Sequence, residues 1–386
     1  MKLQSINYTE YKKDPKQWVL SGLALGSINL IVGKNASGKT RILNVINGLA
    51  RMLSGKQKVE FLSGEYDVIF QHNGQTLSYF LEIQDRKVIR EEFKQQRRTL
   101  LKRGPGGRGT IYHERQEASL RFQTPDNDLA ASARVDSIQH GFLEPLRDWG
   151  LGVRHYLFGE TMGRNVVAFL TKDGPPADPA DPNAVVALFL RGRKEFPHAF
   201  DDAVREDMRE IGYEISEVGV TTPSAFTLQS SVPLAASPSV MFVKEKDLGF
   251  NTDATVMSQG MFRSLAIIIH LNYSIMASSK PTCILIDDIG EGLDFDRSCR
   301  LIELLRRKLQ GSSGQLIMST NDRFVMNKVP LKEWSIVHRK RSTVEVRNYE
   351  NSRAKFEEFE FMGLNNFDFL QFDFLNNAKK RRKNRK

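Results

Sequence analysis

The junction between a short apolar run and a glycine-rich stretch constrains the fold of this chain more than any other feature. Residues 28–32 (INLIV) are apolar and rich in β-branched side chains, which predicts a buried strand. The sequence GKNASGKT follows at 33–40, and apolar residues then recur at helical spacing over 42–49. This succession predicts a strand, a tight turn and a helix, which is the local structure of a phosphate-binding loop.

The residue types in this stretch suit a nucleoside triphosphate. Successive backbone N–H groups can surround phosphate oxygens, and the positive N-terminal end of the helix adds to the attraction. Lys39 is predicted to reach the β- and γ-phosphates, and the Thr40 hydroxyl to ligate Mg²⁺. We therefore expect ATP with Mg²⁺ as the bound cofactor. The predicted nucleotide-binding residues are Gly33, Lys34, Asn35, Ala36, Ser37, Gly38, Lys39, Thr40 and Arg41.

A second apolar run ends in two carboxylates. Residues 283–294 (CILIDDIGEGLD) predict a buried strand with Asp287 at its carboxyl end. Ligands of an open parallel sheet bind outside the carboxyl ends of its strands, so Asp287 is expected at the same edge as the phosphate-binding loop. We predict that Asp287 binds the Mg²⁺ and that Asp288 orients or deprotonates the attacking water.

Positive charge is concentrated in two places. The net charge is +10, and seven positive side chains lie in 379–386 (KKRRKNRK). A second basic stretch runs over 87–108. Such clusters can neutralise nucleic-acid phosphates, although blocks of like charge are also typical of solvated, disordered tails. Nucleic acid is therefore a candidate partner.

Composition argues for a cytoplasmic protein without a membrane partner. No apolar run approaches the roughly 20 residues that cross a bilayer, and the N-terminus has no apolar core of the kind that a secretory signal needs. The two cysteines, Cys283 and Cys299, give no disulfide framework and fit a reducing compartment.

The order of these motifs resembles the ATP-binding heads of the ABC superfamily, most of all its SMC, RecF and OLD-like branches. Residues 256–267 (VMSQGMFRSLAI) resemble the ABC signature, with Ser258, Gln259 and Gly260 at its start. Asp294 matches the aspartate of the D-loop. The resemblance implies that the signature of one subunit covers the γ-phosphate bound by another, so that two ATP molecules lie between the heads of a homodimer.

The resemblance also implies the fold and its organisation. We expect an α/β P-loop NTPase of ABC/SMC type, with a mainly parallel central sheet, helices on both faces, an antiparallel β subdomain and a helical insertion. Four segments are expected: an N-terminal ATPase lobe with β hairpins at 1–170, an inserted subdomain at 171–245, a C-terminal ATPase lobe at 246–350, and an interaction segment with a basic tail at 351–386.

Two departures from the family pattern predict slow hydrolysis. The residue after Asp287 is usually glutamate in this superfamily and is Asp288 here, and the switch histidine is replaced by Asn321. Glu291 is a weaker candidate for the missing glutamate. The glutamine that senses Mg²⁺ stays open between Gln123 and Gln139. Trp18 or Tyr8 is a candidate for stacking on adenine, with core packing as the alternative for both.

Several functions are compatible with such an ATPase. A transporter subunit is disfavoured by the missing histidine, a long-armed SMC protein by the length of the chain, and an OLD-like nuclease by the lack of an acidic cluster after Arg341. The first remaining candidate is the ATPase component of a bacterial anti-phage or toxin-like defence system, acting with a separate effector protein. The second is a RecF-like DNA-repair clamp. A scaffold that docks a partner through 364–375 (LNNFDFLQFDFL) is a third; packing of that segment on the protein body is its alternative.

Overall fold

The computed structural model describes residues 1–160, 162, 166–170, 177–225, 237–277, 283–310 and 314–375. Its strands are β1 (Lys2–Glu10), β2 (Trp18–Ala24), β3 (Ile28–Val32), β4 (Ser63–His72), β5 (Gln75–Gln84), β6 (Lys87–Gln95), β7 (Arg98–Arg103), β8 (Arg108–His113), β9 (Ala118–Gln123), β10 (Val153–Leu157), β11 (Ala168–Leu170), β12 (Ile215–Thr221), β13 (Ser237–Glu245), β14 (Thr252–Asp253), β15 (Cys283–Asp287), β16 (Gln315–Ser319), β17 (Trp334–Lys340) and β18 (Thr343–Asn348). Its α-helices are α1 (Lys39–Leu53), α2 (Ala130–Ala133), α3 (Glu144–Gly152), α4 (Val185–Glu195), α5 (Ala199–Glu210), α6 (Gln259–Met276), α7 (Phe295–Leu309), α8 (Arg323–Lys328), α9 (Tyr349–Phe361) and α10 (Asn366–Gln371).

The chain forms two compact units. Unit 1 comprises Met1–Val153, Thr282–Leu285 and Gly311–Lys386, and unit 2 comprises Arg154–Pro281 and Ile286–Gln310. The division of the chain into four functional segments stays a prediction.

The sheet of unit 1 is mixed. Its strands follow the order β15, β16, β3, β17, β18, β2, β1, β4, β5, β6, β7, β8 and β9, with β15 contributing residues 283–285. Both β16 and β17 pair in parallel with β3, and β18 pairs in parallel with β2. We expected a mainly parallel central sheet and an antiparallel β subdomain, and the described pairings agree at the centre, where the strand before the glycine-rich stretch has a parallel neighbour on each side.

Strands β4 to β9 form an antiparallel meander joined by tight turns. The turn between β4 and β5 is formed by Asn73 and Gly74, with φ of 48° and 76°. Positive φ at both positions is the geometry that favours Asn-Gly in two-residue hairpins. Because this pair lies between two runs of alternating apolar residues, the sequence predicts a hairpin here, and the structure confirms it. Two further pairings, β5 with β6 and β6 with β7, extend the meander.

Helix α1 covers this sheet and packs beside α3. Its predicted apolar face is confirmed, because Ile42, Ile46 and Leu49 are fully buried. The sequence of residues 129–149 predicts a single helical stretch. That prediction is wrong, since α2 ends at Ala133 and α3 begins at Glu144. The Asp136 carboxylate accepts hydrogen bonds from the backbone amides of Ile138 and Gln139 and so competes with helical hydrogen bonding.

The C-terminal segment packs partly on the body of unit 1. Phe369 of α10 is buried among Phe356, Phe359 and Phe374. The Asn366 side chain donates to the Val329 carbonyl and anchors α10. This packing fits the non-docking alternative for 364–375. The basic tail 379–386 lies outside the described residues.

Unit 2 is built around α6, whose residues 260–274 are all buried. Helices α4 and α5 pack on α6, and α5 also contacts α7. The antiparallel strands β12, β13 and β14 form a small sheet with β11. Within the described ranges, neither α6 nor any other helix combines the length and apolarity that a bilayer crossing requires.

Candidate functional site

The glycine-rich stretch folds tightly between β3 and α1. A Cβ atom on Gly33 would lie 2.8 Å from both Ser37 Oγ and the Val337 carbonyl oxygen, so a larger residue would force the backbone apart. Ala36 and Gly38 have φ of 59° and 108°. The left-handed backbone at Gly38 leads directly into α1, whose first N–H groups have no intrahelical partners because they begin the helix. The loop therefore presents main-chain donors at a helix N-terminus, which is a ready anion-binding geometry.

Lys39 is held at the centre of this loop. Its side chain is 7% exposed, and Nζ donates to the Gly33 carbonyl at 3.1 Å and to Asn321 Oδ1 at 2.7 Å. Asn321 lies two residues after the end of β16, which pairs with β3. The structure thus brings together two predicted catalytic residues that are 282 positions apart. The direct contact between them was not predicted.

The other loop residues differ in accessibility. Lys34, Asn35, Ala36 and Arg41 are exposed and Thr40 is half-buried, whereas Ser37 is buried. Ser37 Oγ has no hydrogen-bond partner among the residues that the structure describes. A buried polar atom beside main-chain donors and an ammonium group is compatible with a phosphate group, so the residues present fit the predicted ligand.

The paired aspartates lie in unit 2, where β15 ends. Asp287 is 3% exposed, and its carbonyl oxygen accepts the Phe158 N–H at 3.1 Å. Asp288 follows with φ of 50° and is half-buried. A Cβ atom on Gly159 would lie 2.9 Å from Asp288 Cβ, so this glycine makes room for the turn that carries Asp288. Sequence reasoning missed Gly159, which lies in no recognised motif.

A histidine close to Asp287 was also missed. Burial lowers the pKa of His155 on β10 to about 4, against the opposing influence of the Asp287 carboxylate. Its Nε2 atom is buried without a hydrogen-bond partner in the described part of the chain. The imidazole is therefore neutral at physiological pH and adds no positive charge beside Asp287.

The signature-like segment begins α6. Ser258 is its N-cap, and Ser258 Oγ accepts the Met261 N–H at 3.2 Å. Ser258 and Gln259 are exposed, whereas Gly260 is buried. A Cβ atom on Gly260 would lie 2.3 Å from the Gly292 carbonyl oxygen, so the start of α6 packs directly on the backbone of the D-loop-like segment.

Arg263 strengthens this packing. Its guanidinium is buried and donates to three carbonyl oxygens, those of Met162 at 3.0 Å, Glu291 at 3.1 Å and Gly159 at 3.3 Å. It therefore joins α6, the turn after Asp288 and the segment after β10 in one network. The sequence signal for this role is the presence of an arginine within the otherwise apolar helix α6, and sequence reasoning missed it.

The remaining candidates have other contacts. Asp294 caps α7, and hydrogen bonds from the Arg297 backbone and side chain lower the pKa of its carboxyl group. Glu291 is exposed. Trp18 and Tyr8 are 3% and 4% exposed and belong to the core of unit 1, which fits the packing alternative.

Both candidate glutamines are exposed on unit 1. The Gln123 side chain donates to the Gly106 carbonyl at 3.2 Å, and the Gln139 backbone N–H donates to Asp136. Neither contact identifies the glutamine that would sense Mg²⁺.

Comparison with known proteins identifies the fold. No family model matches the chain, and no curated sequence matches it. An SMC head bound to the C-terminal winged-helix domain of ScpA matches 90% of this chain and 98% of its own, with a TM-score of 0.51 and 12% identity. The SMC head of Thermotoga maritima matches 90% of this chain and 99% of its own, with a TM-score of 0.46 and 11% identity. An SMC head with an extended coiled coil, from Pyrococcus furiosus, matches 93% of this chain and 99% of its own, with a TM-score of 0.48 and 12% identity. The first match shows that the chain has the mixed α/β fold of an SMC head domain.

Proposed function

We propose that this protein binds and slowly hydrolyses ATP, and that ATP-dependent dimerisation makes it a switch for a separate effector protein. The observation that carries the proposal is the placement of Lys39. A buried lysine sits at the N-terminus of a 15-residue helix, inside a loop whose first glycine has no room for a side chain. This combination has a direct use in binding a polyphosphate.

Each loop residue has a role in this proposal. The amides from 34 to 41 would surround the phosphates, and Lys39 would move from Asn321 towards the β- and γ-phosphates. Thr40 and Asp287 are assigned to Mg²⁺, which would neutralise charge on the phosphate oxygens. Hydroxyl and carboxylate oxygens are the donors that this ion prefers.

Hydrolysis requires an oriented water, which we assign to Asp288. Aspartate is one methylene shorter than glutamate, and Asn321 cannot accept and release a proton as histidine does. Both features favour slow turnover. A slow ATPase remains in its ATP-bound state for longer, which suits a switch better than a motor.

Dimerisation would bring a second helix N-terminus to the γ-phosphate. Ser258 and Gln259 are exposed at the start of the 18-residue helix α6, where the helix dipole favours an anion. We propose that Ser258, Gln259 and Gly260 of one copy cover the ATP of the other, with Asp294 near the same interface. The order of these motifs supports the further proposal of a bacterial anti-phage or toxin-like role with a separately encoded effector.

The variant Lys39→Ala tests nucleotide binding. The lost ammonium should weaken Mg²⁺·ATP at least about 100-fold, a loss of about 2.7 kcal/mol, since hydrogen bonds to charged groups contribute about 1.5–3 kcal/mol. Isothermal titration calorimetry measures the Kd. Lys34→Ala is the matched control, because Lys34 is an exposed lysine of the same loop. Equal affinities of Lys39→Ala and the parent protein would refute the assignment.

The variant Asp288→Ala tests the switch. We expect ATP binding to persist, hydrolysis to stop, and an ATP-bound dimer to accumulate in size-exclusion chromatography with light scattering. Asp296→Ala, which removes an exposed carboxylate nearby in the sequence, is the control. Adding Ser258→Ala to Asp288→Ala should restore the monomer, and a dimer that persists would contradict the role of Ser258.

A further inference from the structure

We propose that the outward face of strands β6–β9 binds the phosphate backbone of duplex nucleic acid. This basic face consists of Arg90 and Lys94 on β6, Lys102 on β7, Arg108 on β8 and Arg121 on β9. It lies wholly within unit 1 and uses none of the residues that we assign to ATP.

The strand register places these side chains on one face. Glu92 pairs with Lys102, Lys102 with Thr110, and Thr110 with Arg121, so the four residues form one row across the sheet. Arg90 and Lys94 flank Glu92 at two-residue spacing, and Arg108 lies two residues before Thr110. Side chains alternate between the two faces of a strand, so all five cations share the face of this row.

The opposite face of these strands is the core. Glu91, Phe93, Leu101 and Ile111 alternate with the row and are buried. The cations are therefore turned away from the core and into solvent. The side chains of Arg90 and Lys94 are 51% and 39% exposed, and Lys102, Arg108 and Arg121 are exposed as well.

The positive charge is bounded, which distinguishes it from an evenly mixed surface. On the basic face, the Glu92 carboxylate forms ion pairs with Arg90 Nη2 at 2.7 Å and with Lys94 Nζ at 2.9 Å. On the same side of the sheet, the neighbouring strands β4 and β5 carry acids, because Glu82 pairs with Arg90 and Glu65 pairs with Glu82. The sign of the charge therefore changes between β5 and β6.

The spacing of the cations suits a duplex. Strands are about 4.8 Å apart and residues i and i+2 about 7 Å apart, so Lys102 and Arg121, two strands apart, are separated by about 10 Å at their backbones. These separations match the scale of the grooves of B-DNA, about 6 and 12 Å wide, across which phosphates face each other. Long lysine and arginine side chains can adjust the remaining difference.

The strands also form a depression between these cations. Lys102, Arg108 and Arg121 line a depression of about 680 Å³ together with Gly104, Gly109 and Phe122. No atom lies within 4 Å of a Cβ built on Gly104, so the glycine leaves this wall open. A charged depression with little side-chain bulk lets a sugar-phosphate strand approach the backbone of the sheet.

The test is a comparison of two triple variants with equal loss of charge. Lys102→Gln/Arg108→Gln/Arg121→Gln removes three cations of the basic face. Lys328→Gln/Lys332→Gln/Arg353→Gln removes three exposed cations of unit 1 that lie outside that face. Binding to a fluorescent 30-base-pair DNA duplex is measured by anisotropy between about 50 and 300 mM KCl, with the full chain throughout. Circular dichroism and thermal unfolding confirm that each variant is folded.

We expect the slope of log K against log[KCl] to become less negative by about 2.7 in the basic-face variant, from three phosphate contacts at about 0.9 each. The control variant should keep the parent slope within about 0.5. Equal slopes for the two variants would overturn the proposal, as would a slope that disappears only when 379–386 is removed. Binding to heparin without binding to the duplex would also overturn it. Lys39→Ala should bind the duplex normally, so a failure of the ATPase proposal and a failure of this one are distinguishable.

Discussion

The contact between Lys39 and Asn321 predicts an unusual order of nucleotide affinities. The Lys39 N–H that donates to Asn321 at 2.7 Å cannot donate to a phosphate at the same time, so we predict that ATP displaces this hydrogen bond when Lys39 turns towards the phosphates. Removing the amide in Asn321→Ala removes that competition from the free protein. Nucleotide should then bind more tightly, although the same variant loses a group that we assign to hydrolysis.

The size of the effect follows from the environment of the contact. A hydrogen bond to a charged group contributes about 1.5–3 kcal/mol, and this contact contributes less than that because Asn321 is exposed and water replaces part of the interaction. A difference of about 0.7–1.4 kcal/mol corresponds to roughly 3- to 10-fold tighter binding. Asn321→Asp should have the opposite effect. Its carboxylate attracts Lys39 more strongly and repels the phosphates, so affinity should fall at least about tenfold.

Titration with Mg²⁺·ADP measures this order without interference from hydrolysis or the γ-phosphate. Asn327→Ala is the matched control. Asn327 lies on α8, outside the phosphate-binding loop, and its side chain accepts the Phe367 N–H at 2.9 Å. From the tightest to the weakest, ADP should bind to Asn321→Ala, the parent protein and Asn321→Asp. An Asn321→Ala variant that binds ADP no better than the parent would refute the competition that we infer.

Two further predictions concern packing. Arg103→Met should destabilise the fold by about 3–5 kcal/mol in urea titrations, because it leaves the fully buried Glu91 without its cationic partner. Burial raises the pKa of Glu91 and Arg103 lowers it, so the pKa of Glu91 in the folded variant rises further above its unfolded value. The variant should therefore lose stability as the pH rises above the ordinary range of a glutamate carboxyl, and a pH-independent loss would contradict this account. Gly260→Ala should lower the free energy of unfolding by about 1–3 kcal/mol and abolish ATP-dependent dimerisation, because its methyl group would press on the Gly292 carbonyl oxygen. Unchanged dimerisation in light scattering would contradict the link between this packing and the dimer.

Local patterns were sufficient to predict the elements around the loop. The β-branched run at Ile28–Val32, the helix after Gly38 and the Asn73-Gly74 hairpin depend on residues adjacent in sequence, and the structure confirms all three. The same holds for the strand Cys283–Asp287, whose apolar run is fully buried. In each case, periodicity or turn chemistry leaves few alternatives.

Long-range contacts were beyond sequence reasoning for physical reasons. The hydrogen bond from Lys39 to Asn321 depends on the parallel pairing of β16 with β3, which no local pattern encodes. Gly159 matters because a Cβ atom there would lie 2.9 Å from Asp288 Cβ, a contact between residues that are distant in the sequence. The buried pair of Glu91 and Arg103 lies inside the basic stretch 87–108, whose composition does not distinguish buried from exposed charges.

That buried pair also explains how the basic stretch divides. Strands β6 and β7 alternate between a core face, where Glu91 receives the Ala130 and Ala131 amides at 2.8 Å, and a solvent face with Arg90, Lys94 and Lys102. One stretch of sequence therefore contributes a structural ion pair to the interior and a net positive charge to the surface, where Glu92 is flanked by Arg90 and Lys94. The net charge of the stretch could not separate these two contributions, whereas strand register does.

The location of the basic face also bears on the choice between an effector switch and a DNA clamp. In a clamp, DNA and ATP must each raise the affinity for the other by the same factor, because linkage is reciprocal. The basic face lies on one sheet of one unit, so duplex binding there needs neither a second copy nor the γ-phosphate. If the affinity for duplex DNA is equal with and without ATP, nucleic acid serves to localise this protein, and the γ-phosphate remains free to control the effector. A strong reciprocal coupling would instead require DNA contacts that only the ATP-bound dimer makes, and would favour the clamp.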